Sequence, residues 1–243
     1  MDKVRISRLL AQKGLCSRRE ADAYIAQGWV EVDGQVVREL GTKAYPHQHI
    51  RLNPQALQQQ QQRVTILLNK PIGYVSHRTE KRYKTALSLI TGARQFRPDK
   101  APQAFLPRHR RGLAPAGRLD IESQGLLVLT QDGRMARRLI GENSTIEREY
   151  LVRVTGSLDG QGLALLNHGL VLDGQALKPA TVEWQNRDQL RFVLTEGKNR
   201  QIRRMCGEVG LTVTGLKRVR IGGVRLGDLP EGRWRYLRPD EAF

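Results

Sequence analysis

Gly117-Arg118-Leu119-Asp120, then Ile121-Glu122-Ser123-Gln124, then Gly125-Leu126-Leu127-Val128-Leu129-Thr130 is the stretch whose reading decides the fold. The last six residues form an almost unbroken apolar run, bounded by Gly125 on one side and Asp132-Gly133 on the other. A run of that length reads as a buried strand. Asp120 then sits at the lip of a hydrophobic core. A carboxylate in such a place caps a turn or performs chemistry, and Asp is a favoured turn residue on local pattern alone.

Outward from this strand, Val64-Thr65-Ile66-Leu67-Leu68-Asn69 reads as a second central strand, and Pro71 with Gly73 forces an immediate turn. Downstream, Glu149 to Thr155 alternates and is rich in β-formers. Ala180 to Trp184 and Leu190 to Leu194 read as further strands, with short helices over Met135 to Ile140 and Gly162 to Asn167. Strands and short helices mix here without a regular βαβ repeat. That pattern predicts an α+β domain on a mixed, mostly antiparallel sheet flanked by helices and loops. From His77 to Arg111 apolar periodicity is poor. Thr85 to Ile90 suggests a short helix, while Arg94 to Arg111 reads as an exposed basic loop whose arginines could grip phosphates.

The first 53 residues form a separate unit. Ile6, Leu9 and Leu10 make a short helical stripe that ends at Gly14. Ser17-Arg18-Arg19-Glu20 has the spacing of a capping box and opens a second helix, which Gly28 stops. Asp33-Gly34, between Trp29–Val32 and Gln35–Val37, is a strong hairpin signal. Arg5, Arg8, Arg18 and Arg19 line the helix pair with cations. His47 and His49 lie in a turn and have no third ligand nearby in sequence, so no metal site is expected. Residues 54–63, with glutamine at every position from 58 to 62, read as a flexible linker. The expected division is therefore 1–53, linker 54–63 and a large domain over 64–243.

Composition narrows the function. The 243 residues are 39% hydrophobic with a formal net charge of +17. Residues 1–62 carry +3 of that charge and residues 63–243 carry +14. Such a field favours a polyanion, and the lack of a basic amphipathic anchor favours nucleic acid over a membrane surface. No apolar run approaches the length of a spanning helix and no signal-peptide pattern opens the chain, so a cytoplasmic location is expected. Two cysteines, Cys16 and Cys206, lie far apart without ligand spacing and suggest neither zinc nor a disulfide framework.

Two further charged motifs abut the core. In Glu196-Gly197-Lys198-Asn199-Arg200-Gln201-Ile202-Arg203-Arg204-Met205-Cys206, the apolar Ile202, Met205, Cys206 and Val209 share one helical face. Arg203 then flanks the core, while Lys198, Arg200 and Arg204 face outward. Leu216-Lys217-Arg218-Val219-Arg220-Ile221 is a third basic, partly apolar run.

Together these segments resemble the family of S4-domain ribosomal RNA pseudouridine synthases, in which an A type modifies small-subunit RNA while B, E and F types modify large-subunit RNA. The resemblance rests on the S4-like helix pair, Leu68–Gly73, the Gly-Arg-Leu-Asp motif with Ser123–Leu127, Glu149–Val152 and Glu196–Met205, in the family's order. The run Asn199 to Cys206 is most similar to the F type. Where the S4 family usually has Pro-Gly-Asp, this chain has Pro46-His47-Gln48-His49, and the 77–111 loop is longer than usual.

The resemblance implies isomerisation of uridine to pseudouridine without a cofactor, on a nucleotide flipped out of its stack. It places the catalytic aspartate at Asp120, as a nucleophile or as the base that starts a glycal route. Tyr150 matches the tyrosine that stacks on the uracil, and Arg203 the arginine that pairs with the catalytic carboxylate. Arg118 matches the residue that fills the vacated space, and Leu216 an apolar wall of the pocket. Lys70, Lys198, Arg200 and Arg204, with the four N-terminal arginines, are expected to contact RNA. The implied partners are ribosomal RNA, with tRNA left open, and a ribosomal subunit or assembly intermediate, for a protein acting as a monomer.

Two other readings compete. A non-catalytic RNA-binding or ribosome-assembly factor would also carry an S4-like module and this charge. A glycosidase-like hydrolase would need a second carboxylate, for which Glu122 is the nearest candidate.

Overall fold

The computed structural model describes residues 2–77, 83–97 and 104–243. In the N-terminal module, helices α1 (Ile6–Gln12) and α2 (Arg18–Gln27) pack on a three-stranded sheet. Its strands are β1 (Val30–Val32), β2 (Gln35–Val37) and β3 (Ile50–Leu52), with β1 in the centre. The capping box is present, with Glu20 N donating to Ser17 Oγ and Ser17 N to the Glu20 carboxylate. Asp33 and Gly34 take φ of +48° and +83°, as the two-residue hairpin turn requires.

The flexible linker expected over 54–63 is corrected. Pro54–Gln61 forms a helix, α3, whose Ala56 belongs to the N-terminal core and whose Gln60 Nε2 donates to Leu15 O at 2.8 Å. Asn53 caps it by accepting from Ala56 N, and Pro54 takes the first helical position, where its missing N–H costs nothing. Glutamine is a good helix former, so a polar run need not be a coil. Nor does the module hang free of the large domain. Glu20 pairs with Arg63 and accepts from Gly133 N at 3.1 Å, and Arg137 reaches Ala11 O.

The large domain is α+β. Its main strands are β4 (Thr65–Lys70), β5 (Gln124–Thr130), β6 (Arg148–Thr155), β7 (Thr181–Asn186), β8 (Gln189–Leu194), β9 (Thr212–Ile221) and β10 (Trp234–Tyr236). They run in the order β7-β8-β6-β9-β5-β4-β10, with Ala114–Pro115 added to β5 and Val224–Arg225 to β9. Every pairing between these strands is antiparallel except β5 with β9, and Gln95 adds a single parallel bridge to Trp234 of β10. The helices are α4 (Gly133–Ile140), α5 (Gly160–Asn167) and α6 (Gln201–Glu208).

Strand β5 is apolar from Leu126 to Leu129 because both its faces are covered. Leu127 and Leu129 enter one core with Phe192, Ile202 and Met205, while Leu126 and Val128 enter another with Leu139 of α4 and Ile221. At its start Gly125 stands opposite Arg218 in the parallel pair, with φ +105°. A Cβ there would lie 2.3 Å from Arg218 O, so the approach of β9 requires glycine.

In the basic segment after His77, the short helix expected over Thr85–Ile90 is present as one turn, and the loop expected over Arg94–Arg111 keeps its described arginines exposed but is tied down at its start. Thr85–Ile90 contains a single 3₁₀ turn over Ala86–Leu89, and Ala86, Leu89 and Ile90 are buried. Phe96 N donates to Trp234 O at 2.7 Å, Trp234 Nε1 to Thr91 O at 2.9 Å, and an Arg233 guanidinium nitrogen to Ala93 O at 2.6 Å. These long-range bonds dock the chain on β10, which local periodicity does not reveal. Residues 78–82 and 98–103 of the expected loop lie outside the described residues. Arg94, Arg97, Arg108, Arg110 and Arg111 are exposed.

Candidate active site

The charged tetrapeptide forms a turn that distant parts of the chain hold by its backbone. Ser76, itself buried, accepts from Leu119 N at 2.8 Å and donates to Leu119 O at 2.6 Å. Gly73 N donates to Ile121 O at 2.8 Å, and Ser123 N to Asp120 O at 3.0 Å. An Arg218 guanidinium nitrogen donates to Arg118 O at 3.3 Å. With its backbone engaged on several sides, the turn presents the Asp120 carboxylate to a cleft of about 890 Å³.

The cleft gathers most of the residues singled out in the sequence. Asp120, Tyr150, Arg203, Arg118, Leu216, Lys198 and Arg200 all line it. Tyr150 projects from β6 opposite Arg218 of β9, 8% exposed, with the guanidinium 5.9 Å from its ring centre. Leu216 is buried in the wall, and Arg118 is exposed at the rim.

Three expectations are corrected by the geometry. Arg203 does not pair with Asp120; it lies 3.5 Å from the Glu122 carboxylate and donates to Glu122 O and Val213 O. Glu122, two residues after Asp120 in the same turn, competes for the same cation and also binds Arg200. The Arg200 hydrogen bond, with the nearby Arg203 charge, holds the Glu122 carboxyl below its ordinary range despite partial desolvation.

Lys70 is not available to RNA. It is fully buried, and Nζ donates to Pro71 O at 2.9 Å and Tyr74 O at 2.8 Å, which fastens the turn beneath the cleft. Burial lowers its pKa to about 8, against the opposing attraction of Asp120. Arg204 makes a two-pronged pair with Asp173 at 2.7 and 2.9 Å, outside the cleft lining. Lys198 Nζ reaches Gln175 Oε1 at 3.3 Å.

Arg5, Arg8, Arg18 and Arg19 stand exposed on the N-terminal helix pair and its entry strand. His47 stacks on Tyr45 in its turn. Among the described residues, no three His, Cys, Asp or Glu side chains are grouped to hold a metal ion.

Sequence reasoning missed Ser76, Arg148 and Arg218. Arg148 lines the cleft from β6, where one nitrogen reaches Leu139 O and another Ile146 O. Arg218 is 3% exposed and donates through Nε to Leu126 O at 2.7 Å. A signal for it existed: in a strand, residues two apart share a face, so a cleft-lining Leu216 places Arg218 on the same side.

Comparison with known families matches residues 64–208 to RNA pseudouridylate synthase and residues 4–44 to the S4 domain. The chain belongs to the RNA pseudouridylate synthase family. It is an RNA-binding isomerase with an S4 domain ahead of its catalytic domain.

Among the synthases it resembles is the dual-specificity RNA pseudouridine synthase RluF of Escherichia coli K12, 32% identical over 242 residues. That match spans 99% of this chain and 77% of the relative, in line with the F-type likeness of Asn199 to Cys206. An uncharacterized RNA pseudouridine synthase of Aquifex aeolicus is 34% identical over 99% of this chain and 93% of its own. A putative chloroplastic ribosomal large subunit pseudouridine synthase of Arabidopsis thaliana, SVR1, is 34% identical over 98% of this chain and 59% of its own. A solved pseudouridylate synthase superposes with a TM-score of 0.66 at 26% identity, covering 97% of this chain and 96% of that one. Among the described residues, no helix is long and apolar enough to cross a membrane.

Proposed function

We propose that this synthase isomerises selected uridines of large-subunit ribosomal RNA, with Asp120 as the catalytic carboxylate and Tyr150 against the target base. The observation that carries the reading is Asp120 on a backbone-pinned turn, in one cleft with Tyr150 and a set of arginines. The large-subunit target is supported by the name of the SVR1 relative and by the F-type run. The RNA arrives naked or already assembled with ribosomal proteins, and the protein acts as a monomer in the cytoplasm.

The chemistry conserves every atom of the nucleotide. The N1–C1′ bond breaks with its electron pair passing to N1, the uracil turns, and C5 bonds to C1′; C5 then loses its proton and N1 gains one. Asp120 serves either by adding to C1′ as N1 leaves and being displaced from C1′ when C5 bonds there, or by removing the 2′ proton of the ribose as N1 leaves and returning it as C5 bonds to C1′. A ring stacked on Tyr150 keeps the freed uracil in place while it turns, and the Tyr150 hydroxyl assists loss of the C5 proton.

Extruding the nucleotide costs a few kcal/mol, which contacts to RNA must offset. Arg118, at the rim, occupies the gap left in the stack. Lys198 and Arg200 line one wall against the phosphates, and Arg5, Arg8, Arg18 and Arg19 hold RNA at the S4 surface. Arg203 contributes a cation at the edge of the site, held by Glu122 in the RNA-free protein. A glycosidase-like hydrolase is disfavoured, because the candidate second carboxylate, Glu122, is engaged by two arginines.

The test is pseudouridine formation on ribosomal RNA by purified wild type and Asp120→Asn, with RNA affinity measured in parallel. Conversion should vanish in the variant while affinity persists. Wild-type conversion rates in Asp120→Asn would sink the assignment. Mapping pseudouridines in cells with and without the protein identifies the target.

A further inference from the structure

Four buried side-chain N or O atoms among the described residues have no hydrogen-bond partner in the protein. Three of them belong to residues that line the cleft of Asp120 and Tyr150: Ser123 Oγ, a terminal nitrogen (Nη2) of Arg218, and Arg203 Nε, which faces the Glu122 carboxylate at 3.5 Å. Unpartnered buried polar groups are rare in folded proteins, and each destabilises the fold that holds it. Their gathering in one cleft marks a place built to be completed by a ligand.

Arg218 stands apart within this group. A guanidinium stays charged at all working pH values, and this one is 3% exposed. Its Nε donates to Leu126 O and one terminal nitrogen to Arg118 O, two fixed backbone acceptors that orient the group. The other terminal nitrogen is left over, on a guanidinium whose central carbon lies over the Tyr150 ring, 5.9 Å from its centroid. The two fastened nitrogens fix its orientation, and the third is buried without a hydrogen-bond partner.

We propose that Arg218 is a further catalytic residue, whose free Nη2 donates to a carbonyl oxygen of the target uracil. This rests on the isomerase reading above. When N1–C1′ breaks, the electron pair moves onto the uracil and spreads over N1, O2 and O4. A fixed, desolvated cation at O2 or O4 stabilises that anion more than the neutral base of the ground state. Preorganised donors aimed at developing charge are worth most where water is excluded. As C5 bonds to C1′ the charge leaves the ring again, so Arg218 transfers no proton and is unchanged over the cycle. Tyr150 and Arg218 then divide the base between them, one holding its face and the other its edge.

The experiment compares single-turnover conversion by wild type, Asp120→Asn, Arg218→Lys and Arg218→Met, on RNA whose target uridine carries O2 and O4, 2-thio or 4-thio. Sulfur is a weaker acceptor than oxygen, so one thio substrate should slow wild type and leave Arg218→Met indifferent. Saturating rates should fall by about 100-fold in Arg218→Met, with RNA affinity unchanged and added guanidinium ion restoring part of the rate. Undiminished saturating rates in Arg218→Met overturn the proposal. So does lost RNA affinity with a normal saturating rate, which would mark a phosphate anchor. If the variants misfold, the wild-type thio series alone decides, and equal rates on all three substrates overturn it. Wild type that forms no pseudouridine on any substrate refutes the isomerase reading itself, a result separate from these.

Discussion

Replacing Lys70 with methionine tests whether a cation lies buried beneath the site. Lys70 is fully buried on β4, its Nζ bound to Pro71 O and Tyr74 O. Burial brings its pKa from 10.5 to about 8, with Asp120 pulling the other way. The sign follows from proton uptake. Between pH 8 and 10.5 the unfolded chain holds a proton that the folded chain has released, so stability rises with pH across that window. Below pH 8 both states are charged and the folded protein bears the full desolvation cost. The gap between 10.5 and about 8 corresponds to roughly 3 kcal/mol. Urea unfolding followed by circular dichroism, at steps from pH 7 to 10.5, should show the wild type gaining about that much relative to Lys70→Met. Subtracting the variant removes the contribution of tyrosines and thiols that titrate nearby. A difference that stays flat across the window would refute a buried lysine at this position.

Three more perturbations probe the frame around the cleft. Gly125→Ala places a Cβ 2.3 Å from Arg218 O at φ +105°, and neither backbone can yield; thermal unfolding should show a loss of about 3 kcal/mol or more. Glu20→Ala removes a cap acceptor and the partner of Arg63 and Gly133 N, at a side chain 13% exposed. It should destabilise the protein by about 2 to 4 kcal/mol and loosen the N-terminal module, read by denaturation and limited proteolysis. Glu122→Gln releases Arg200 from a pair whose side chains are 46% and 44% exposed. Such pairs contribute at most about 1 kcal/mol, so RNA should bind up to roughly fivefold tighter at low salt, in a filter-binding assay. That gain should shrink as salt rises.

Much of the fold was legible because its signals are local. The capping box of α2, the Asp33-Gly34 turn and the buried strand β5 are each specified by a few adjacent residues. What escaped is settled by contacts between distant residues. The α3 helix looks like solvated glutamines until Gln60 meets Leu15 O, although Asn53-Pro54 and Ala56 carried a start signal that was there to be read. The segment around Thr91 to Phe96 lacks periodicity because Trp234 orders it from about 140 residues away. Arg203 was correctly placed beside the core, yet Glu122 rather than Asp120 holds it, since motif spacing does not say which of two close carboxylates a cation meets.

The position of Asp120 beside the core was thus legible, while its aim was not. Asp120 owes its direction to Ser76 and Gly73 from one segment and to Arg218 from another. Arg218 reaches the tetrapeptide because β9 runs parallel to β5, in a register that sets Gly125 against Arg218. That register brings the two backbones too close for any Cβ at Gly125. The missing side chain at Gly125, the depth of Arg218 and the orientation of Asp120 are therefore one requirement. A change that pushes β9 away from β5 should disable the site even where every residue lining the cleft is retained.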